Sequence, residues 1–377
     1  MVVENKISVF SFFSGCGILD LGFEKTGYDI VFVDEFSTAF LHAYEYSRKI
    51  MGIQPPKYGY SNIDVNEYLG KRKAELKEQI KKERNESRLV GFIGGPPCPD
   101  FSVGGKNRGR DGDNGKLSLS YVDLICNLEP DFFLFENVKG LWRTKRHRAF
   151  FEELKEKLSK AGYELTNRLT NALEFGVPQD RDRIILIGFK RSLLKQGNMN
   201  NFPWDRYVRY DLDKIKLLPW PTVNEFYEGS HSVCPEGIVE EVTCEYWFRK
   251  NDVINHPDAK RFFTPKAGLE RMRTVQEGDT NKKSYKRIHR WRYSPTVCYG
   301  NNEVHLHPYY TRRLSVAEAM SLQSLPQDFC LPTDITLSSC FKTIGNGVPF
   351  LLAEGIAKTL REYIDENVKQ KDKKHEV

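Results

Sequence analysis

The first 190 residues of the chain alternate short apolar runs with longer amphipathic runs. The apolar runs predict strands over residues 7–13, 30–33, 92–93, 132–135 and 183–188. The amphipathic runs predict helices over residues 19–26, 38–51, 119–128 and 149–161, and a charged run predicts a solvent-facing helix over residues 71–88. This alternation favours an α/β fold with an open, mostly parallel sheet covered by helices on both faces. Ligands of such sheets bind beyond the carboxyl ends of the strands.

The pattern changes after about residue 190. Residues 191–310 carry scattered prolines and four of the five tryptophans, and they show no regular hydrophobic period. Helical periodicity returns over residues 315–323 and 351–366, before a charged tail. We therefore predict a main domain over residues 1–190, a second, irregular domain over residues 191–310, and a return of the chain to the main domain over residues 311–377.

Charge is distributed unevenly along the chain. The net charge is +6, yet the segment from Glu245 to Arg313 has 15 Lys and Arg residues against 7 Asp and Glu residues. A basic segment beside a nearly neutral body is compatible with a polyanion-binding module and, equally, with a solvated surface.

Several classes of protein are disfavoured by the composition. No run of about 18 apolar residues is present, so we expect no membrane span, and the N-terminal residues lack a secretory pattern, which favours a cytoplasmic location. The eight cysteines form no CxxC pair, so we predict free thiols and no metal site. His305 and His307 alternate as residues of a strand do, with no further ligand cluster nearby.

The sequence GGPPCPDFS, residues 94–102, holds one cysteine between two prolines at the end of a predicted strand. Pro97 and Pro99 lack backbone N–H groups, and Pro99 biases Cys98 toward an extended conformation. Such a stiff turn could present a nucleophile. A single cysteine is more often buried and inert, so the motif alone does not assign one.

The sequence FFSGCGILDLGF, residues 12–23, follows a strand and opens a helix. Gly15 and Gly17 allow a ligand close to the backbone, but the spacing is not that of the dinucleotide fingerprint GxGxxG. Asp34 and Glu35 end the second strand, where a carboxylate can bind ribose hydroxyls. Together, the glycine turn and these acids predict a nucleoside cofactor without a pyrophosphate. The alternative is that the two acids cap a helix.

Three further motifs place polar side chains beside apolar strands. FLFENVKG ends a strand in Glu136 and Asn137, where a desolvated carboxyl can hold a proton near neutral pH. In QDRDRIILIGF, Gln179, Arg181 and Arg183 alternate, so their side chains share a face and need acceptors. The motif GNGVP, residues 345–349, is by itself a turn pattern.

The order of these motifs resembles that of the cytosine-5 DNA methyltransferase family over nearly the whole chain. FxGxG, the acid after strand two, PPC, ENV, QxRxR, RRLSVAEAMSLQSLPQDF and GNxVP follow one another as in that family. The resemblance implies a Rossmann-like, S-adenosylmethionine-dependent methyltransferase. It implies methyl transfer to carbon 5 of a cytosine flipped out of a short specific double-stranded DNA sequence, through a cysteine adduct at carbon 6.

The resemblance also implies roles for the catalytic residues. Cys98 matches the nucleophile, and Glu136 matches the acid that holds ring nitrogen 3 and the exocyclic amine. Arg183 matches the arginine at the base carbonyl, with Arg181 and Gln179 supporting it, and Asn137 orients the active-site loop. One departure is Pro99, because the family usually has Gln after the cysteine.

For the cofactor, the resemblance implies contacts from Phe13 to adenine and from Glu35 to the ribose. The other implied contact residues are Ser14, Gly15, Cys16, Gly17, Ile18, Phe36, Asn62, Ile63, Pro97, Asn346 and Val348. Asn62 stands where the family usually has an aspartate.

For DNA, the resemblance makes residues 191–310 the target recognition domain and residues 104–116 a mobile basic loop over the DNA. The predicted DNA contacts are Ser102, Lys106, Arg108, Arg110, Lys116, Arg271, Arg273 and Arg287.

The resulting expectation is a monomeric bacterial enzyme that protects host DNA in a restriction–modification system, with a cognate endonuclease as a possible partner. A tRNA cytosine-5 methyltransferase is the first alternative, although the Cys-Phe-Thr motif of those relatives is missing. An inactive DNA-binding regulator is the second, and Cys98, Glu136 and Arg183 argue against it. A nicotinamide oxidoreductase would need the missing dinucleotide fingerprint.

Overall fold

The computed structural model describes residues 6–97, 113–265, 268–281, 284–297 and 304–369, without the side chains of residues 113 and 114. Seven strands form the main sheet in the order β3-β2-β1-β4-β5-β8-β6, and two short strands, β7 and β9, pair separately. The strands are β1 Ile7–Phe12, β2 Asp29–Asp34, β3 Tyr60–Ser61, β4 Leu89–Gly94, β5 Phe132–Val138, β6 Tyr163–Asn171, β7 Gln179–Asp180, β8 Asp182–Lys190 and β9 Ser294–Pro295.

Twelve α-helices accompany the strands in the described residues. They are α1 Ile18–Glu24, α2 Thr38–Ile50, α3 Lys73–Asn85, α4 Asp113–Leu128, α5 Lys139–Arg143, α6 Lys145–Lys160, α7 Leu212–Lys216, α8 Cys244–Lys250, α9 Leu269–Arg273, α10 Val316–Leu322, α11 Leu337–Asn346 and α12 Phe350–Asn367.

The direction of the strands decides which residues meet. Strands β1 to β5 run parallel to one another, so the carboxyl ends of β1, β2, β4 and β5 lie along one edge of the sheet. Strand β8 is antiparallel to β5 and therefore begins at that same edge, where Arg183 is paired with Val138. The motifs after β1, β2, β4 and β5 and the motif that opens β8 are thus brought together by the topology.

Two apolar clusters fill the two faces of the sheet. One packs α12, including Leu360 and Ile364, against β1 and β5. The other packs α4 and α6 against residues such as Phe92 and Phe133. Gly91 leaves room for the ring of Phe132, because a Cβ atom on Gly91 would lie 2.1 Å from that ring.

The structure differs from the sequence expectation at several elements, and three of the differences have a clear reason in the sequence. Strand β6 was not predicted because most residues of its sequence, YELTNRLTN, are polar, and most of its positions are only half-buried. Helix α11 was not predicted because its end carries the glycine-rich turn pattern. Helix α3 is not simply solvent-facing, since Leu76 and Ile80 are buried in the core and Glu83 is buried with them.

The segment from residue 191 to residue 310 is mostly irregular where it is described, as predicted. Cys244, Phe248 and Ile288 from this segment share an apolar cluster with Ile18 of α1 and with helices α10 and α11. The predicted domain boundaries at residues 190 and 310 remain a proposal. Within the described residues, no helix has the length and apolar character required to cross a bilayer.

Candidate active site

Glu136 and Arg183 form a buried ion pair at the strand edge. Nε of Arg183 lies 2.7 Å from Oε1 of Glu136, and both side chains are at most 10% exposed. Burial raises the pKa of Glu136, while the cations of Arg183 and Arg181 oppose that shift. Gly95 makes space for this carboxyl, because a Cβ atom there would lie 2.6 Å from Oε2 of Glu136. The site therefore holds a buried carboxyl whose pKa is raised by burial and lowered by a fixed cation beside it.

Arg181 connects this pair to the last motif of the chain. Its Nη2 donates to the carbonyl oxygens of Gly345 at 2.7 Å and Gly347 at 2.9 Å. Its Nη1 donates to the side-chain oxygen of Gln179 and to the carbonyl of Val297, at 3.3 and 3.4 Å. Arg181 and Gln179 are fully buried. The supporting role predicted for both residues remains a proposal.

Asn137 contacts the proline-rich turn. Its Nδ2 donates to the carbonyl of Pro96 at 3.4 Å, and its Oδ1 accepts from the N–H of Val138 at 2.9 Å. The side chain thus links the end of β5 to the turn that follows β4. Cys98 itself lies outside the described residues, as do Ser102, Lys106, Arg108 and Arg110. Their predicted roles stay predictions.

The turn after β1, residues 13–17, contacts the end of β2. The N–H and the Oγ of Ser14 donate to the carbonyl of Asp34 at 3.3 and 3.2 Å. The N–H of Gly15 donates to Oε2 of Glu35 at 2.8 Å, and the N–H of Ser37 donates to Oε1 at 2.8 Å. Burial raises the pKa of Glu35, while these two N–H donors oppose the shift. The two motifs predicted to bind one cofactor therefore form one continuous surface.

Asn62 stabilises the backbone of this surface at Glu35 and Phe36. Its Nδ2 donates to the carbonyls of Glu35 and Phe36 at 2.7 and 2.8 Å, and its Oδ1 accepts from Thr38. The amide is thus occupied by backbone groups of the acidic turn. Phe36 is 71% exposed, which leaves an apolar ring free beside Glu35. Ile63 is only half-buried, and its N–H donates to the carboxyl of Asp34.

The remaining cofactor candidates differ in exposure. Cys16 is buried against Thr343, and burial raises the pKa of its thiol to about 11, so a neutral thiol is expected there. Ile18 and Val348 are buried, Pro97 is half-buried, and Asn346 is exposed at the end of α11. Gly347 packs against Ile18, because a Cβ atom there would lie 2.5 Å from its side chain. The last motif and the first motif are therefore in direct contact.

A model of the family described as C-5 cytosine-specific DNA methylase matches residues 7–362. The chain belongs to this family. Type II methyltransferase M.NmeDI of Neisseria meningitidis serogroup C is 56% identical over 363 residues, which cover 96% of this chain and 85% of that protein. Type II methyltransferase M.FnuDI of Fusobacterium nucleatum is 28% identical over 376 residues, which cover 97% of each chain. The predicted family and enzyme class are confirmed.

Solved structures agree with the fold of this DNA methylase. A prophage-encoded protein of E. coli, described as a DNA modification methyltransferase, superposes with a TM-score of 0.66 at 22% identity and covers 96% of this chain and 100% of that chain. A DNMT2 mutant from Spodoptera frugiperda superposes with a TM-score of 0.57 at 16% identity, covering 94% and 99%. The predicted Rossmann-like methyltransferase fold is confirmed.

S-adenosylmethionine is the methyl donor of the DNA methylase. The residues at the ends of β1 and β2 fit a nucleoside of this kind. Glu35 offers a carboxylate to hydroxyl groups, and Phe36 offers an exposed ring. Gly15, with a φ of 58°, has no side chain that would keep a ligand away from the backbone. The assignment of individual cofactor contacts remains a proposal.

The basic residues predicted to contact DNA fall into two groups. Arg271, Arg273 and Lys116 are exposed on the methylase. Arg271 lies over the ring of Tyr285 at 4.7 Å, and Arg273 pairs with Glu270 at 2.6 Å.

Arg287 corrects the prediction, because it is fully buried. It donates to the carbonyls of Val275, Met272, Tyr310 and His307 and lies 3.7 Å from the ring centre of Phe226. Its guanidinium is used inside the protein and presents no surface to a DNA phosphate.

Sequence reasoning missed a buried polar group that lies against the turn after β1. Asp20 accepts from Ser11 at 2.9 Å and from Tyr44 at 3.0 Å, and Arg48 donates to the carbonyl of Gly17 at 2.6 Å. Burial raises the pKa of Asp20 to about 7. The helical position of Tyr44 and Arg48, one turn apart on α2, was the available indication that both face the same side.

Three possible metal ligands, His256, Asp258 and Cys330, also meet in the interior. The carboxylate of Asp258 already pairs with Arg261 at 2.5 Å and accepts from the N–H of Leu331 at 3.2 Å. Because Arg261 already balances that carboxylate, we assign no cation to this group.

Proposed function

We propose that the chain methylates carbon 5 of a flipped-out cytosine in a short specific sequence of double-stranded DNA, through attack of the Cys98 thiolate on carbon 6. The observation that carries the proposal is the buried pair of Glu136 and Arg183 at the edge where the cofactor turns also lie. S-adenosylmethionine supplies the methyl group when it is bound. Cys98 follows the turn held by Asn137, which supports its role as the nucleophile.

Glu136 has the properties that attack at carbon 6 requires. Attack moves electron density toward ring nitrogen 3, and a carboxyl that shares its proton with nitrogen 3 stabilises this density. Desolvation raises the pKa of Glu136, which helps the carboxyl to share a proton with nitrogen 3, while Arg183 opposes this shift. Arg183 fixes the orientation of the carboxyl and offers its remaining N–H groups to the carbonyl of the base.

Loss of the carbon 5 proton and departure of the thiolate complete the reaction. The proton leaves to solvent or to a neighbouring base, the electron pair restores the double bond between carbons 5 and 6, and the bond to Cys98 breaks. Arg181 and Gln179 support the arrangement by tying β7 to Gly345 and Gly347.

We further propose that residues 191–310 read the DNA sequence and that the enzyme protects host DNA in a restriction–modification system. The names of M.NmeDI and M.FnuDI as Type II methyltransferases support this biological role. A cognate endonuclease would then act on the same sequence. One chain carries both the Glu136 pair and the cofactor turns, so a monomer is sufficient for the chemistry, and a cytoplasmic location would give access to the host DNA.

The chemistry can be tested by trapping the covalent adduct. A pool of random DNA duplexes containing 5-fluorocytosine is incubated with the enzyme and S-adenosylmethionine. Fluorine cannot leave carbon 5 as a proton does, so the adduct at carbon 6 should persist through denaturation, and sequencing the trapped DNA should give the recognition site. Cys98→Ala should bind DNA but trap none.

Two outcomes would contradict the proposal. Trapping by Cys98→Ala at the wild-type level would remove Cys98 as the nucleophile. Trapping of a matched RNA pool instead of DNA would favour the tRNA alternative.

A further inference from the structure

The turn after β1 has an unusual backbone. Phe13, Gly15 and Gly17 have φ values of 54°, 58° and 77°. The left-handed region is unfavourable for a residue with a side chain, such as Phe13, so the surrounding structure must hold the turn in this shape.

The contacts that hold the turn come from two sides. Ser14 and Gly15 are bonded to the end of β2, through Asp34 and Glu35. The other contact comes from α2, where Nη2 of Arg48 donates to the carbonyl of Gly17 at 2.6 Å. The same carbonyl accepts from the N–H of Leu21 at 2.9 Å, so Arg48 acts at the point where the turn becomes α1.

Arg48 is itself fixed in place. It is 1% exposed, its Nε lies 2.8 Å from Oε2 of Glu24, and its guanidinium lies 4.3 Å from the ring centre of Tyr44. Gly17 fits closely against these groups, because a Cβ atom there would lie 2.4 Å from Tyr44 and 2.7 Å from Nη2 of Arg48. A buried, paired arginine contributes little net stability relative to an apolar core, so stability alone is a weak reason for its presence.

We infer that Arg48 is a positioning residue for methyl transfer, which holds the Gly17 end of the turn in the shape that binds S-adenosylmethionine. Because the peptide unit is planar, fixing the carbonyl of Gly17 also fixes the plane that leads into Ile18. The inference rests on the proposed assignment of residues 13–17 to the cofactor. Arg48 belongs to none of the motifs that carried the family resemblance.

A cavity beside Arg48 makes a specific test possible. The cavity has a volume of about 380 Å³, and its lining includes Arg48, Lys49, Ile53 and Tyr60. Removing the side chain of Arg48 would join its space to this cavity. A small planar cation such as guanidinium could then enter and donate to the carbonyl of Gly17.

The test measures binding of S-adenosylmethionine by calorimetry to the wild-type chain, Arg48→Ala, Arg48→Lys and the control Lys49→Ala, whose exposed side chain also lines the cavity. We expect Arg48→Ala to raise the Kd on the order of ten- to a hundredfold. Millimolar guanidinium should restore much of this loss, whereas equal urea should not. Lys49→Ala should bind as the wild type does, and the DNA Kd of Arg48→Ala should stay within twofold.

Arg48→Lys keeps the test decisive if Arg48→Ala does not fold. A lysine can reach either Gly17 or Glu24 but lacks the planar fork that serves both, so an intermediate Kd is expected.

Glu24→Gln separates stability from positioning. It should lower the unfolding temperature by weakening the ion pair, while it leaves the bond to Gly17 and the Kd for S-adenosylmethionine near the wild-type values.

The outcomes distinguish this inference from the proposed cofactor site. Wild-type affinity in Arg48→Ala, together with lost affinity in Glu35→Ala, would overturn the role of Arg48 alone. Wild-type affinity in both variants would overturn the cofactor assignment. The Kd for S-adenosylmethionine could instead follow the unfolding temperature across Glu24→Gln, Arg48→Lys and Arg48→Ala and not respond to guanidinium. That result would show that Arg48 has only a structural role.

Discussion

Two buried arginines show how differently the sheet edge and the irregular segment use charge. Arg183 at the edge faces one carboxylate, Glu136, and the pair lies beside the turns proposed to bind the substrates. Arg287 in the irregular segment donates to backbone carbonyls from four residues and touches no carboxylate within the hydrogen-bond and ion-pair contacts of the described chain. The first arrangement leaves a charged group available for chemistry, whereas the second replaces regular secondary structure as a means of holding loops together.

The two arginines were predicted from different features of the sequence, the spacing of residues for Arg183 and the local charge for Arg287. Arg183 was predicted to need an acceptor because its spacing in QDRDR set it on one face of an apolar strand, and the structure gives it Glu136. Arg287 was predicted from the excess of basic residues in its segment. A count of charges does not say which side chains face solvent, and Arg287 is buried.

The largest effect is expected at the sheet edge. Glu136→Gln keeps the shape of the side chain but cannot exchange a proton with ring nitrogen 3 as a carboxyl can, so we expect methyl transfer to fall by about 10²–10⁴-fold. Single-turnover methylation of DNA checks this, with S-adenosylmethionine affinity as the control, which should be unchanged. A variant with more than a tenth of the wild-type rate would remove Glu136 from the chemistry.

Arg287→Met should instead act on stability. Removing this guanidinium leaves several buried carbonyls without a donor, and we expect a loss of about 3 kcal/mol in the free energy of unfolding. Urea unfolding measures this loss. DNA affinity per folded molecule should stay near the wild-type value, and a stable variant with lost DNA affinity would restore the original prediction of a phosphate contact.

The pH dependence of stability should have opposite signs in the two regions. Burial raises the pKa of Asp20 to about 7, so the folded chain keeps a proton that the unfolded chain loses above about pH 4. Its contribution therefore falls as pH rises from about 4 to 7, by up to about 1.4 kcal/mol per pH unit. Burial lowers the pKa of His289 to about 4, so its contribution falls as pH decreases from about 6.5 to 4.

Asp20→Asn and His289→Gln isolate these two contributions. Relative to the wild type, Asp20→Asn should lose less stability as pH rises from 5 to 7, and His289→Gln should lose less as pH falls from 6 to 5. Urea unfolding at closely spaced pH values checks both. If the plots of unfolding free energy against pH run parallel to that of the wild type, neither group has the pKa shift assigned to it.

The smallest effect is expected at the exposed arginines of α9. Arg271→Ala and Arg273→Ala should each weaken DNA binding a few-fold and reduce the slope of log affinity against log salt by about 1 if each contacts a phosphate. Lys160→Ala is a suitable comparison, because Lys160 is exposed at the end of α6, outside the segment proposed to read DNA, and is paired with Glu156 at 2.6 Å. An unchanged salt slope in both α9 variants would exclude them from the DNA interface.

Much of the main sheet could be predicted from sequence because its strands are short, apolar and bounded by glycine, proline or acidic turns. The need of Arg181 and Arg183 for acceptors could also be predicted, since polar side chains beside an apolar strand require partners, and the structure contains those partners. The group of Asp20, Tyr44 and Arg48 was not, because contacts between α1 and α2 depend on how two helices pack. Neither was the antiparallel direction of β8, which brings Arg183 to Glu136.

Conversion sequencing of a host genome tests the central claim most directly. The wild-type chain and Cys98→Ala are expressed separately in a host without DNA cytosine methylation, and every cytosine is scored. We predict methylation within one short motif for the wild type and none for Cys98→Ala. No methylated DNA from wild-type protein that binds S-adenosylmethionine, or equal methylation from Cys98→Ala, would contradict the account.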